Sequence, residues 1–110
     1  MKMPGSDVAF VPMAKITHYL LSSTHPRGAM KAVWFEALGF RADRPDELAR
    51  ALSAHASHDV MESERTPYGT KYCVAGDIVG PGGSRSPLRS VWIVLEREST
   101  PRLITAYPSR

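Results

Sequence analysis

An α+β domain, with helices first and a four-stranded antiparallel sheet after them, follows from three features of this 110-residue chain. Up to His58 the apolar residues recur at helical spacing. Beyond it, DVMESERT, YGTKYCVAGDIV, LRSVWIVLER and PRLITAY alternate or run apolar, with β-branched and aromatic residues. The connections TPYG, GPGGSRSP and ESTP are short turn punctuation, which favours a meander over parallel crossovers.

Residues 1–12 carry Pro4, Gly5 and Pro12 and are expected to be an extended or frayed lead-in, leaving 13–110 as a single α+β domain. A short helix fits 14–22, with Ile16, Tyr19 and Leu20 on one side. SSTHPRG breaks that pattern. Pro26 suits the first turn of a second helix, with Ser23, Thr24 or His25 as its cap. This helix runs to Leu38 and stops at Gly39, a good residue just past a helix end. A third helix fits 45–57: Pro45 opens it, Asp46 and Glu47 complement its dipole, and Leu48, Ala51, Leu52 and His55 share a face. His55 is therefore expected as a packed histidine. Two to three N-terminal helices then cover one face of the sheet.

Strand alternation sorts the sheet residues by face. Tyr68, Thr70, Tyr72 and Val74 fall on one side, Lys71, Cys73 and Ala75 on the other. In the third strand Val91, Ile93 and Leu95 are expected in the core, leaving Ser90, Trp92 and Val94 on the other face. In the fourth, Leu103, Thr105 and Tyr107 share a face opposite Ile104 and Ala106. An open face with Trp92, tyrosines and threonines beside Arg85 or Arg89 is a platform for unstacked bases. The alternative is a second small core or an interface.

Composition bounds the function. Hydrophobic content of 43% with 23% charged residues fits a folded domain rather than a disordered chain. Cys73 is alone, so no intrachain disulfide forms, and no HExxH or similar spacing calls for a metal; no cofactor is expected. The longest strongly apolar run, VWIVL, is far short of the ~20 residues of a membrane span. MKMPGSDVAFVP lacks the apolar core of a signal peptide, which makes the cytoplasm the expected location. Charge is uneven. Residues 1–64 hold seven Lys/Arg against eight Asp/Glu, and residues 65–110 hold seven against three. Ten of the basic residues are arginine, whose planar fork suits phosphate. A polyanionic partner such as RNA fits this distribution, as does ordinary solubilising charge.

Lys31 is the residue out of pattern. On a helical wheel it falls between Leu38 and Phe35, inside the apolar arc. It either snorkels along the helix edge or meets an anion where the helix crosses the sheet. His25 and Arg27 lie one turn earlier, near a helix N-terminus that attracts anions. RNA cleavage without metal proceeds by attack of a 2′-OH on the adjacent phosphate. It needs a base, an acid and fixed positive charge. His25 could serve as base or acid. Lys31, Lys71 and Arg89 could supply charge, and Thr66, Thr105, Tyr68 or Tyr107 hydrogen bonds.

The ordered set HPRGAMKAVWFEALGF, TPYGTKY, VWIVLE and PRLITAYP resembles an uncharacterised family of small bacterial domains, from about Lys15 to Pro108. At fold level the chain is similar to the barnase–EndoU–colicin–RelE group of ribonuclease toxins. That resemblance implies a metal-independent endoribonuclease toxin with a cognate antitoxin or immunity protein. It places catalytic roles on His25, Lys31, Tyr68, Lys71, Thr105 and Tyr107. It gives substrate-binding roles to Thr66 and Trp92, and the charge and sheet-face reading above adds Arg27, Arg85 and Arg89. A non-catalytic protein- or nucleic-acid-binding module, or a homo-oligomeric structural subunit, remains the competing reading; oligomeric state is open.

Overall fold

The helices come first because proline and glycine fence them in, and the strands follow because alternation takes over after His58. The computed structural model describes residues 1–21 and 29–109. A 3₁₀ turn at Ser6–Val8 precedes α1 (Met13–Lys15), which runs directly into a π-helix at Ile16–Leu20. Then come α2 (Ala29–Ala37) and α3 (Pro45–His55). The sheet follows as β1 (Val60–Thr66), β2 (Gly69–Val79), β3 (Arg85–Leu95) and β4 (Arg102–Pro108). Its order is β1-β2-β3-β4, each neighbour antiparallel, so the expected α+β meander is the observed architecture. The expected caps of α2, and Pro26, lie outside the described residues. Among the described residues no helix is long and apolar enough to cross a membrane.

Local chemistry explains the helix ends. α3 starts with Pro45 in its first turn and Asp46 and Glu47 at the positive end of the dipole. α2 stops at Gly39, whose φ of 100° a side chain would resist. Phe40 N–H then reaches back to Phe35 O at 3.2 Å, and the two rings meet edge-on at 6.2 Å. This is the apolar contact that accompanies a left-handed helix stop.

The core lies between the helices and one sheet face. Ile16, Leu20, Phe35, Phe40, Leu48 and Leu52 pack on Val74, Ile78, Leu88, Trp92, Leu103 and Ala106. Each large side chain buried here contributes roughly 1.5–3 kcal/mol relative to exposure. The lead-in does not fray. Met3 and Val11 are buried in the core. Its backbone also bonds to the start of both edge strands, Met1 O accepting from Val60 and Phe10 O from Leu103.

Two expectations about sheet faces are corrected. Leu88, Ser90 and Trp92 turn under the helices, all fully buried, so Val91 and Ile93 face outward. VWIVL is apolar on both faces, and alternation alone could not choose between them. In β4, Thr105 pairs with Val91 and Leu103 with Trp92, leaving Ile104 as a bulge. One extra residue reverses the faces beyond it. Leu103 therefore joins Ala106 in the core, while Thr105 and Tyr107 turn to the outward face.

Candidate functional site

Lys31 neither snorkels into solvent nor pairs with a carboxylate. Its Nζ donates to Tyr19 Oη at 2.6 Å and to Thr105 Oγ1 at 2.8 Å. Those two oxygens stand 3.2 Å apart, so the π-helix, α2 and edge strand β4 close a triangle of polar groups. The ammonium also lies 4.8 Å from the centroid of the Tyr19 ring, within cation–π range. Among the described residues no Asp or Glu pairs with Lys31.

The π-helix positions Tyr19. Leu21 N–H bonds to Ile16 O at 2.8 Å, an i→i+5 closure that widens the turn. Ile16 and Leu20 point fully into the core while Tyr19 is left half-buried at the margin. Burial pushes the Tyr19 phenol up. The hydrogen bonds to Lys31 and Thr105 and the charges of Lys31 and Lys15 outweigh it, so the phenol ionises below its ordinary value. A phenol so placed can give up a proton more readily than a free tyrosine.

The outward sheet face holds a second arrangement. A shallow cleft of about 260 Å³ is lined by Glu62, Glu64, Lys71, Cys73, Val91 and Tyr107 among others. The register explains the grouping: Glu62 faces Cys73 and Glu64 faces Lys71 across β1–β2, and Arg89 faces Tyr107 across β3–β4. Burial raises the Tyr107 phenol, and the neighbouring Cys73 thiol adds to this, while Arg89 pulls weakly the other way. Tyr107 thus stays a neutral hydrogen-bond donor. Arg89 Nε is buried without a hydrogen-bond partner among the described residues.

The structure brings some expected residues together and separates others. Lys31 and Thr105 meet directly, and Lys71 and Tyr107 share the cleft. Tyr68 is 75% exposed in the β1–β2 turn, and the Thr66 hydroxyl is committed to that turn, donating to Gly69 O at 2.8 Å. Arg85 is exposed at the far end of β3, about 13 Å of strand from Arg89. Trp92 is the clear correction: it is 0% exposed, its Nε1–H donates to Ser90 Oγ at 2.8 Å, and no base can stack on it. His25 and Arg27 lie outside the described residues. Tyr19 was missed because its spacing with Ile16 and Leu20 marked it as a core residue; its hydroxyl was the only signal otherwise.

A helix-covered antiparallel meander, with a lysine beside its edge strand that has no carboxylate partner among the described residues, is the class that fold and site define. The chain belongs to the family described as a domain of unknown function, DUF6883, whose model matches residues 2–110. No curated protein matches it. A similar solved structure is a chain from the contact-dependent growth inhibition toxin–immunity protein complex of Klebsiella pneumoniae 342. The two superpose with a TM-score of 0.73 at 19% identity, over 98% of this chain and 99% of that one. At that identity the likeness establishes a shared fold.

Proposed function

We propose that this chain is an RNA-cleaving toxin domain of a bacterial growth-inhibition pair, acting in the cytoplasm and held in check by a cognate immunity protein. The observation that carries the reading is the triangle of Lys31, Tyr19 and Thr105. A lysine placed at a strand edge without a carboxylate is poised for an anion, and a phenol easier to ionise beside it can exchange a proton with that anion. The solved complex of similar fold contains both a toxin and its immunity protein. The triangle favours the toxin role, because an inhibitor has no need of a polarised phenol.

In the proposed step the ribose 2′-OH loses its proton to a base, the one of its two possible roles, base or acid, that this reading gives to His25, and its oxygen attacks the adjacent phosphorus. Lys31 and Thr105 hold the charge that develops on the non-bridging oxygens. The P–O5′ bond breaks, and Tyr19 protonates the departing oxygen. The products are a 2′,3′-cyclic phosphate and a 5′-OH. Lys71 and Tyr107 serve the substrate strand on the outward face rather than the reacting phosphate.

Purified chain incubated with total RNA is expected to produce fragments with cyclic-phosphate ends. An oligonucleotide with a 2′-deoxyribose at the cut position should stay whole, and Lys31→Ala and Tyr19→Phe should fold but cut poorly. Intact RNA after incubation with the folded wild-type chain overturns the reading and leaves a binding module.

A further inference from the structure

We infer that Arg89 and Tyr107 form a second phosphate seat, so that the substrate is an extended single strand of RNA running along β4. This rests on the ribonuclease reading above. The starting observation is Arg89 Nε, buried with no acceptor among the described residues. A buried N–H of a charged group left unsatisfied is costly, so an acceptor brought by a ligand gains the whole of that deficit. Beside it Tyr107 is kept neutral by burial and by Cys73, while Arg89 interacts with the same hydroxyl and pulls the other way. A guanidinium and a phenol O–H together supply the donors a phosphate oxygen takes.

The register fixes where this seat lies. Arg89 pairs with Tyr107, and the next outward pair is Val91 with Thr105. Thr105 already holds Lys31 Nζ at 2.8 Å. Thr105 and Tyr107 are alternate residues of one strand, separated by about 6.6–6.8 Å of rise. That separation is comparable to the spacing of consecutive phosphates along an extended strand, so adjacent phosphates reach both seats. Val91 and the Tyr107 ring, which line the cleft, offer apolar surface to an unstacked base. On the far side of the cleft Glu62 and Glu64 of β1 repel phosphate, while Lys71 of β2, paired with Glu64, attracts it, so the backbone is kept off β1 and toward β3–β4 with Lys71 at its margin. The mixed charge of the cleft therefore sets a path across the face.

The test uses the purified full chain and a short single-stranded RNA methylated at every 2′-oxygen, which binds but cannot be cut. Affinity is read by fluorescence anisotropy over a salt series. Arg89→Met keeps the length of the side chain and removes its charge. It is expected to weaken binding about tenfold and to reduce the slope of log K against log salt by about 0.7, the value for one phosphate on a single strand. Tyr107→Phe is expected to weaken binding less and leave the slope unchanged, because a neutral donor releases no counterion; it also serves if Arg89→Met fails to fold. If wild type cuts RNA but both folded variants keep its affinity and slope, the second seat is overturned while the ribonuclease reading survives. Arg89 then answers to another acceptor, such as a carboxylate of a protein partner. If wild type neither cuts nor binds RNA, the ribonuclease reading falls and takes the seat with it.

Discussion

Two polar chains link the helices to the sheet, and they are built for opposite ends. In the core, Trp92 Nε1–H donates to Ser90 Oγ at 2.8 Å, and Ser90 lies 2.7 Å from His55 Nδ1. His55 Nε2 faces two carbonyls, Gly76 O and Leu88 O, each at 3.0 Å. Carbonyls only accept, so Nε2 carries the proton and Nδ1 accepts from the Ser90 hydroxyl. Every donor there meets an acceptor, no charge is present, and His55 and Ser90 are 2% and 0% exposed. At the β4 edge the distances are as short, yet the cluster is cationic, half-buried and, among the described residues, without a carboxylate. Short hydrogen bonds alone do not mark a functional cluster; uncompensated charge at an accessible margin does. A closed neutral network fixes a core, whereas a charged one at an accessible margin is placed to meet a ligand.

The contrast can be broken by substitution. If Tyr19 donates the proton, Tyr19→Phe should lower the cleavage rate by about 10²–10⁴-fold. The falling limb of the rate against pH should lie below the ordinary tyrosine value of about 10, because Lys31 and Thr105 hold the phenol down despite its burial. Loss of that limb in Tyr19→Phe, with the fold intact by circular dichroism, is the expected signature; an unchanged profile removes Tyr19 from the chemistry. Lys31→Ala should cost about 10²–10³-fold in turnover, the usual scale for one preorganised donor at a developing charge. Single-turnover rates with saturating enzyme check this, since a mere loss of binding disappears under those conditions.

Ser90→Ala tests the other cluster. It leaves the Trp92 N–H and His55 Nδ1 without their shared partner. It should destabilise the fold by about 1–3 kcal/mol while leaving cleavage per folded molecule untouched. Urea unfolding followed by tryptophan fluorescence reads the first quantity, and the single-turnover assay reads the second. A large loss of rate in folded Ser90→Ala would join the two clusters into one site.

Much of this molecule was legible because its punctuation is strong. Pro45, Gly39 and most turn segments set the element boundaries, although β3 begins at Arg85, inside the segment GPGGSRSP expected as a turn, and alternation found every strand. His55 was read as packed because it shares spacing with Leu48 and Leu52, and both are fully buried beside it. The sheet faces were less legible. VWIVL is apolar on every residue, so nothing local says which half is inside. The choice is made by small residues of β2 and β3 that let the histidines at and just after the end of α3 pack on the sheet. Gly76 makes room for the His58 ring where a Cβ would stand 2.4 Å from it, and the Ser90 hydroxyl donates to His55 Nδ1. The bulge at Ile104 is equally silent in PRLITAYP, yet it turns Thr105 and Tyr107 outward. The site was legible only as one misplaced lysine. Its partner Tyr19 became visible when the i→i+5 turn and the edge strand were in place.

The smallest effect sharpens the comparison through pH. Burial pushes the pKa of His55 below its ordinary value, and the charge of His58 adds to this. The carbonyls of Gly76 and Leu88 and the charge of Asp77 act the other way without prevailing. Unfolded, the imidazole titrates near its free value of about 6.5. Between the folded and the unfolded pKa the unfolded chain therefore binds more protons, and stability rises with pH across that window. The contribution is complete above about pH 6.5 and is lost as pH falls toward the lower folded value. Wild type should lose stability from pH 7 to pH 5 more steeply than His55→Asn, which has no proton to gain at that position. Urea midpoints across the series measure the difference. Parallel lines for the two proteins would leave the buried network without a share in the acid sensitivity.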